Sequence, residues 1–322
     1  MQRQFAIPVM AGVMSLCVLG VPLAQGSGSR ILHVVRDHVG RAARQAVSQE
    51  QAPSTAELQA RAEELIAHQH ADDTAIQQYE FVEKQIGRSG GANPQILEEK
   101  IFRVVPTGTG TLKILLRADG RVTDAADYRR RLQDWQRVLE LALNPDDPRE
   151  QTAEAKFEKK RRDRAALVDA ARSAFLPKWA GTASIDGRHC DVFTLTPNPK
   201  FRPHSMLQEA LTHFTAKVWV DHDANQIVHA EAHCIRDISV GAGILGKLYR
   251  GGVFSFDQAP VAPGVWLPRR YQYDFSGRKF LFVFEVHQVV EASHYRLVGP
   301  PQQALAVVKN EIAAGKTEYL DP

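Results

Sequence analysis

The chain has 322 residues, with 40 basic against 37 acidic side chains and a formal net charge of +3 at pH 7. So small an excess makes no field suited to a polyanion, and nucleic acid is set aside as a partner. The length suits one barrel-like β domain of about 200–250 residues with helical appendages.

Residues 1–26 carry Arg3 and then an apolar, uncharged run, with small residues at Ala24 and Gly26. This is the layout of a signal peptide cleaved after Gly26, or alternatively after Ala24. Pro8, Gly12, Ser15 and Gly20 interrupt the run, which falls short of the ~20 apolar residues that span a bilayer. Leu16 before Cys17 speaks against a lipid anchor. Export would leave Cys190 and Cys234 in an oxidising compartment, as one disulfide or as two buried thiols.

Residues 27–75 read as a polar leader followed by a helix. Ser54 and Glu57 form a capping box, and Leu58, Ala62, Leu65 and Ile66 recur at helical spacing with Gln69 continuing the face. The period then changes to short β-prone runs at 78–86, 97–105 and 111–116, separated by turn-rich segments. Tyr128, Leu132, Trp135, Leu139 and Ala142 return to helical steps, which Asn144-Pro145-Asp146-Asp147-Pro148 stops. A second helical segment follows to Phe175, so that residues 123–175 form a helical hairpin inserted between strands. Seven more strand-like runs cover 182–185, 189–196, 214–221, 226–235, 252–258, 265–275 and 279–290, an antiparallel meander. The tail, 299–322, holds one short helix at 304–312.

Several motifs invite a chemical reading. Gly241-Ala242-Gly243-Ile244-Leu245-Gly246-Lys247 matches a dinucleotide fingerprint and most of a P-loop, but Leu248 stands where a P-loop needs Ser or Thr, and no βαβ unit surrounds it. The segment is expected to be an apolar connection. His229-Ala230-Glu231-Ala232-His233 has its glutamate misplaced for a zinc-protease helix, and in a strand its histidines lie ~13 Å apart. No metal or cofactor is expected, and no G-x-S-x-G elbow is present. Asp191, Asp221, Glu231 and Glu285 could be gathered by a sheet, but nothing in the sequence points to it. The basic run Lys156, Lys159, Lys160, Arg161, Arg162 and Arg164 reads as a solvated helix balanced by Glu150, Glu154 and Glu158, with an anionic membrane surface as the alternative contact of residues 156–164.

One face of the sheet is heavily aromatic. Period-two alternation puts together Phe280, Phe282, Phe284 and Val286; Leu267, Tyr271, Tyr273 and Phe275; Phe254 and Phe256; and Phe214, Ala216, Val218 and Val220. Such a face must be covered by helices, closed on itself or filled by an apolar ligand.

The paired strands Ala216-Lys217-Val218-Trp219-Val220-Asp221 and Gln226-Ile227-Val228-His229-Ala230-Glu231 resemble the "x-W-[VI]-D … [LIV]-x-[RK]-x-E" strands of the LolA-like superfamily of periplasmic lipid and lipoprotein carriers, with His229 where a basic residue is common. The phrases at 197–203, 237–241 and 264–270 are also similar to envelope proteins of acidobacterial type. The resemblance implies an α+β fold over residues 76–298: an antiparallel meander curved into an unclosed half-barrel around a helix, with an apolar cavity for acyl chains. The export signal and the aromatic face of the sheet point to a non-enzymatic periplasmic carrier or binder of a lipid or lipidated protein. The ligand-binding candidates are Val218, Val220, Phe254, Phe256, Tyr271, Tyr273, Phe280, Phe282 and Phe284. A second reading is an envelope sensor that recognises a protein partner through the helical insertion, and a hydrolase of envelope substrates comes third.

Overall fold

The computed structural model describes residues 53–91, 93–240, 246–280 and 282–315. The expected signal peptide and most of the leader lie outside them. Helix α1 (Thr55–Ala75) starts at the expected capping box, where Ser54 Oγ accepts from Glu57 N. A 3-10 turn leads into β1 (Tyr79–Arg88), β2 (Ile96–Pro106), β3 (Thr111–Ala118) and the two-residue β4 (Arg121–Val122). Two helices follow, α2 (Ala125–Ala142) capped by Asp124 and α3 (Pro148–Ala174) capped by Asp147, the latter with proline in its first turn. There a missing N–H removes no helical bond.

The chain then makes β5 (Phe175–Ile185), β6 (Arg188–Pro197), the short α4 (Met206–Leu211), β7 (Phe214–Asp221), β8 (Ile227–Cys234), β9 (Ile238–Val240), β10 (Gly246–Leu248), β11 (Val253–Ala262), β12 (Val265–Lys279) and β13 (Phe282–Leu297), and ends on α5 (Pro301–Ala313). Among the described residues no helix is long and apolar enough to cross a membrane.

The fold is α+β, and its strands form one antiparallel sheet in the order β4-β3-β2-β1-β13-β12-β11-β8-β7-β6-β5, with β10 and β9 joined beside β12. The sheet is unclosed, with β4 and β5 as its edges. Both edges are poor templates for further pairing, because β4 is two residues long and β5 carries Pro177. The meander expected from the turns is two meanders, β1–β4 and β5–β13, fused where β1 pairs with β13. Turn chemistry reports only neighbouring strands, so that long-range pairing leaves no local mark.

The helices occupy distinct places. α2 and α5 pack together over Val105 and Ile114, while α3 anchors Leu167 and Ala174 against Leu211 of α4. The inserted pair is thus present, each helix resting mainly on other parts of the body and together carrying the chain from one sheet edge to the other. Pinning α1 across one end of the sheet are polar contacts. Arg61 Nη1 donates to Asp191 at 2.6 Å, Gln69 donates to Gln226 at 3.2 Å, and Asp72 accepts from Gln226 and from the Trp266 backbone N–H. Burial pushes the Asp72 carboxyl up to about 6. Its expected apolar residues Leu58, Ala62, Leu65 and Ile66 are only half-buried, and Gln69 and Asp72 go deepest.

Cys190 and Cys234 are free, buried thiols, each pushed up to about 11 chiefly by burial. At such values almost none is thiolate near neutral pH, so neither is a ready nucleophile.

A glycine contact gives the first expected result. A Cβ on Gly252 would overlap the ring of Phe275, whereas one on Gly87 would meet nothing nearer than 3.7 Å. Gly252→Ala is expected to lose about 1–3 kcal/mol in urea denaturation through overpacking. Gly87→Ala should be neutral or slightly stabilising.

Candidate functional site

The strand register assembles most of the predicted aromatic face. Phe256 lies opposite Tyr271, Phe254 opposite Tyr273, Phe275 opposite Val286, Gly277 opposite Phe284 and Lys279 opposite Phe282. On the other side of β11, Phe254 and Phe256 face Ala232 and Ala230, which in turn face Ala216 and Val218 of β7. The alanines leave room for the rings. Phe254 and Tyr273 stand 5.1 Å apart edge to face, Phe256 and Tyr271 5.5 Å, and Tyr271 and Tyr273 6.2 Å in a stack, all within the range of favourable ring pairs.

Of the nine candidates, Phe254, Phe256 and Tyr271 are buried in one cluster with Val218, Tyr273 and Phe284 half-buried at its margin. Val220 is buried beside the register shift at Trp219. Phe280 and Phe282 are brought elsewhere, to the tip of the β12–β13 hairpin, where they are 50% and 78% exposed. Phe280 adopts φ +54 in that turn.

The result is a graded ladder along one face of β12 and β13. Tyr271 and Phe275 are 4% and 6% exposed, Phe284 is half-buried, and Phe282 is nearly bare. Gly277 permits the step between them, since a Cβ there would sit 2.8 Å from the Phe284 ring. The buried end lies toward the turns that α1 crosses; the exposed end lies at the opposite rim, where α4 places Leu207 and Ala210 against the same cluster. Across β13 the row turns polar, with Gln288 opposite Tyr273 and Gln85 opposite Val290. The apolar ground is therefore confined to the β7–β13 part of the sheet.

The polar groups singled out in the sequence go to separate places. Asp191 accepts from Arg61, from His222 Nδ1 at 2.8 Å and from Trp179 Nε1 at 3.3 Å. Asp221 accepts from Arg188 and from the N–H groups of Asp223 and Ala224, which shape the β7–β8 turn. Glu231 pairs with His229, and Glu285 with His287. These four carboxylates do not converge. The 229–233 segment is a strand, and residues 246–248 of the glycine-rich motif are the strand β10 rather than the start of a helix. Residues 241–245 lie outside the described residues.

His229 does form a definite constellation. Its Nδ1 lies 2.5 Å from Asp257, its Nε2 3.3 Å from Glu231, and its ring leans on Trp219 at 4.7 Å. Burial opposes the charged ring, but the hydrogen bonds to Asp257 and Glu231 outweigh it and push the imidazole up to about 9. A histidine whose pKa is higher folded than unfolded contributes stability that is fully present below about 6.5 and is lost as pH rises toward 9. Stability should therefore fall across that window, and His229→Gln should flatten the fall in a pH series of urea midpoints. An unchanged slope would contradict the assignment.

No family model and no curated protein matches the chain. Solved structures do match. A domain of an outer membrane lipoprotein-sorting protein from Vibrio parahaemolyticus covers 77% of this chain and 99% of its own at 9% identity and TM-score 0.31. A DUF1329 family protein from Desulfovibrio piger covers 74% and 92% at 12% identity and TM-score 0.27. A LolA superfamily protein from Nitrosomonas europaea covers 76% and 96%, also at 12% identity and TM-score 0.27.

Proposed function

We propose that the chain is an exported periplasmic carrier or binding protein for an acyl-chain ligand, a lipid or the lipid chains of a lipidated protein, acting without catalysis. The observation that supports this is the graded ladder. An unbroken apolar row runs from buried Tyr271 and Phe275 through half-buried Phe284 to exposed Phe282. From Phe282 to Val286 the ladder extends ~14 Å at ~3.4 Å per strand residue, a shape that suits a chain better than a compact headgroup. Each methylene laid on it gains roughly 0.8 kcal/mol. In this reading Phe282, Phe284, Tyr273 and Val218 meet the ligand, Phe254, Phe256 and Tyr271 form the floor, Val220 backs it, and Phe280 marks the entrance.

A charge on the ladder should abolish binding, because an ion loses its hydration against an acyl chain. Phe284→Asp is expected to weaken a fluorescent fatty acid at least about tenfold in a displacement titration, a loss of about 1.4 kcal/mol or more. Val283→Asp, one residue away on the other strand face, should leave it unchanged. Equal loss in both variants would sink the assignment.

A second reading is favoured by one observation: residues 159–163 of α3 are all exposed, beyond the buried anchor at Leu167. An envelope partner could be recognised there. Charge reversal at Lys156, Lys160 and Arg162 that removed a partner while leaving fatty-acid binding intact would favour it.

A further inference from the structure

We propose that the tip of the β12–β13 hairpin docks the protein on an anionic lipid surface, with Phe280, Phe282 and Val283 entering the boundary between headgroups and acyl chains and Lys247, Arg278 and Lys279 meeting the phosphates. This goes beyond the carrier reading and does not depend on it, since a surface can be docked with no ligand bound.

The hairpin projects beyond the body of the sheet. Pairing of β11 with β12 ends at Val253 and Asp274, and pairing of β1 with β13 ends at Gly87 and Gln288. Among the described residues, past those points β12 and β13 pair only with each other and with the three-residue β10. Consecutive residues on a strand point to opposite faces. Yet Phe282 and Val283 are 78% and 69% exposed, so both faces of the tip are apolar and bare. That is a wedge rather than the margin of a core.

A basic collar surrounds its base. Register sets Lys247 beside Arg278, Arg278 beside Val283 and Lys279 beside Phe282. Arg278 Nη1 donates to the Phe280 carbonyl at 3.2 Å, which holds the guanidinium under the turn. Lys247 also pairs with Asp237 at 2.8 Å, and Glu285 stands opposite Ser276 on the same strand face as Arg278, so that these three cations of the collar stand against two carboxylates. Apolar tip and cationic collar match the layering of an anionic interface, acyl chains inside and phosphates outside. The same charge argues against a second copy of this chain as the occupant. A two-fold contact through the tip would set collar against collar, and like charges disfavour that.

The test is vesicle flotation of the mature chain, residues 27–322, with phosphatidylcholine alone and with an equimolar mixture of phosphatidylcholine and phosphatidylglycerol. Flotation is expected with the anionic vesicles only, and should weaken as salt is raised. Val283→Glu and Phe282→Ser should each reduce partitioning about tenfold, and Lys279→Glu at least about fivefold. All three sites are exposed or on the rim, so thermal midpoints should not move. The proposal is overturned if wild type does not float, if these variants float as wild type does, or if charge reversal at Lys156, Lys160 and Arg162 of α3 alone removes binding. Concentration-dependent dimers lost in Val283→Glu would instead assign the tip to self-association and overturn it too. The two functions separate cleanly: Val283→Glu should lose flotation and keep fatty-acid binding, while Phe284→Asp should do the reverse.

Discussion

Replacing Arg103 by alanine is expected to lower the stability of the fold by about 3–5 kcal/mol, the cost of leaving buried charges without their partner. Arg103 and Glu80 are wholly buried. The guanidinium donates to Glu80 at 2.6 and 3.1 Å, to Glu311 at 2.7 and 3.1 Å and to Tyr128 Oη at 2.9 Å. It also lies 5.2 Å from the Trp135 ring. Arg296 completes the group from the other side of Glu80 and Glu311. Burial opposes the charge on Arg103, but its bonds to Glu311 and the attraction of Glu80 raise its pKa above the ordinary arginine value. One network thereby ties β1, β2, β13, α2 and α5. Alanine would leave two carboxylates to share Arg296 alone and open a void between strand and helix. The combined variant Arg103→Met, Glu80→Gln, Glu311→Gln should recover a large part of the loss, because no wholly buried charge is then left unpaired and Arg296, which loses both carboxylates, is half exposed to water. If the triple variant were no more stable than the single one in urea denaturation, packing rather than charge pairing would be the cause.

The second large effect separates floor from rim. Phe254 is 2% exposed, among Tyr271, Tyr273 and the small residues Ala230 and Ala232. Phe254→Ala should cost about 3–5 kcal/mol, as expected for an aromatic residue removed from a filled core. Phe282→Ala should cost no more than about 0.5 kcal/mol, since the side chain is mostly in water. Both residues belong to the same alternating pattern in the sequence, so their difference measures where the core stops. A comparable loss at Phe282 would mean that the tip is packed in solution and would remove the ladder's exposed end.

The alternating pattern made this face legible because side-chain direction in a strand follows from position alone. Burial does not, and nothing in Phe280-to-Phe284 distinguishes a rim residue from a core residue. The helices were legible from the capping box at Ser54 and the helical steps from Tyr128 to Ala142, whereas Asp147 and Pro148, read from the sequence as part of a helix stop, also start the next helix. The entry into β5 came earlier than the helical pattern suggested, since Phe175 and Pro177 are already in the edge strand, a place where a missing N–H is tolerated. The six-residue α4 and the three-residue β9 and β10 are too short for any period to show. Arg103 with Glu80 and Glu311, and Asp191 with Arg61 and His222, join residues 23 to 208 positions apart. Such pairs are set by the sheet and by helix docking rather than by any local motif.

Native mass spectrometry of residues 27–322 purified from expressing cells tests the acyl-ligand claim most directly. The account predicts wild-type protein carrying a bound species of lipid mass, released on denaturation, and Phe284→Asp protein that is folded and empty. Wild-type protein that stays empty when mixed with fatty acid, lysophospholipid or lipidated peptide, with Phe284→Ala losing as much stability as Phe254→Ala, would contradict it and leave the ladder as ordinary core.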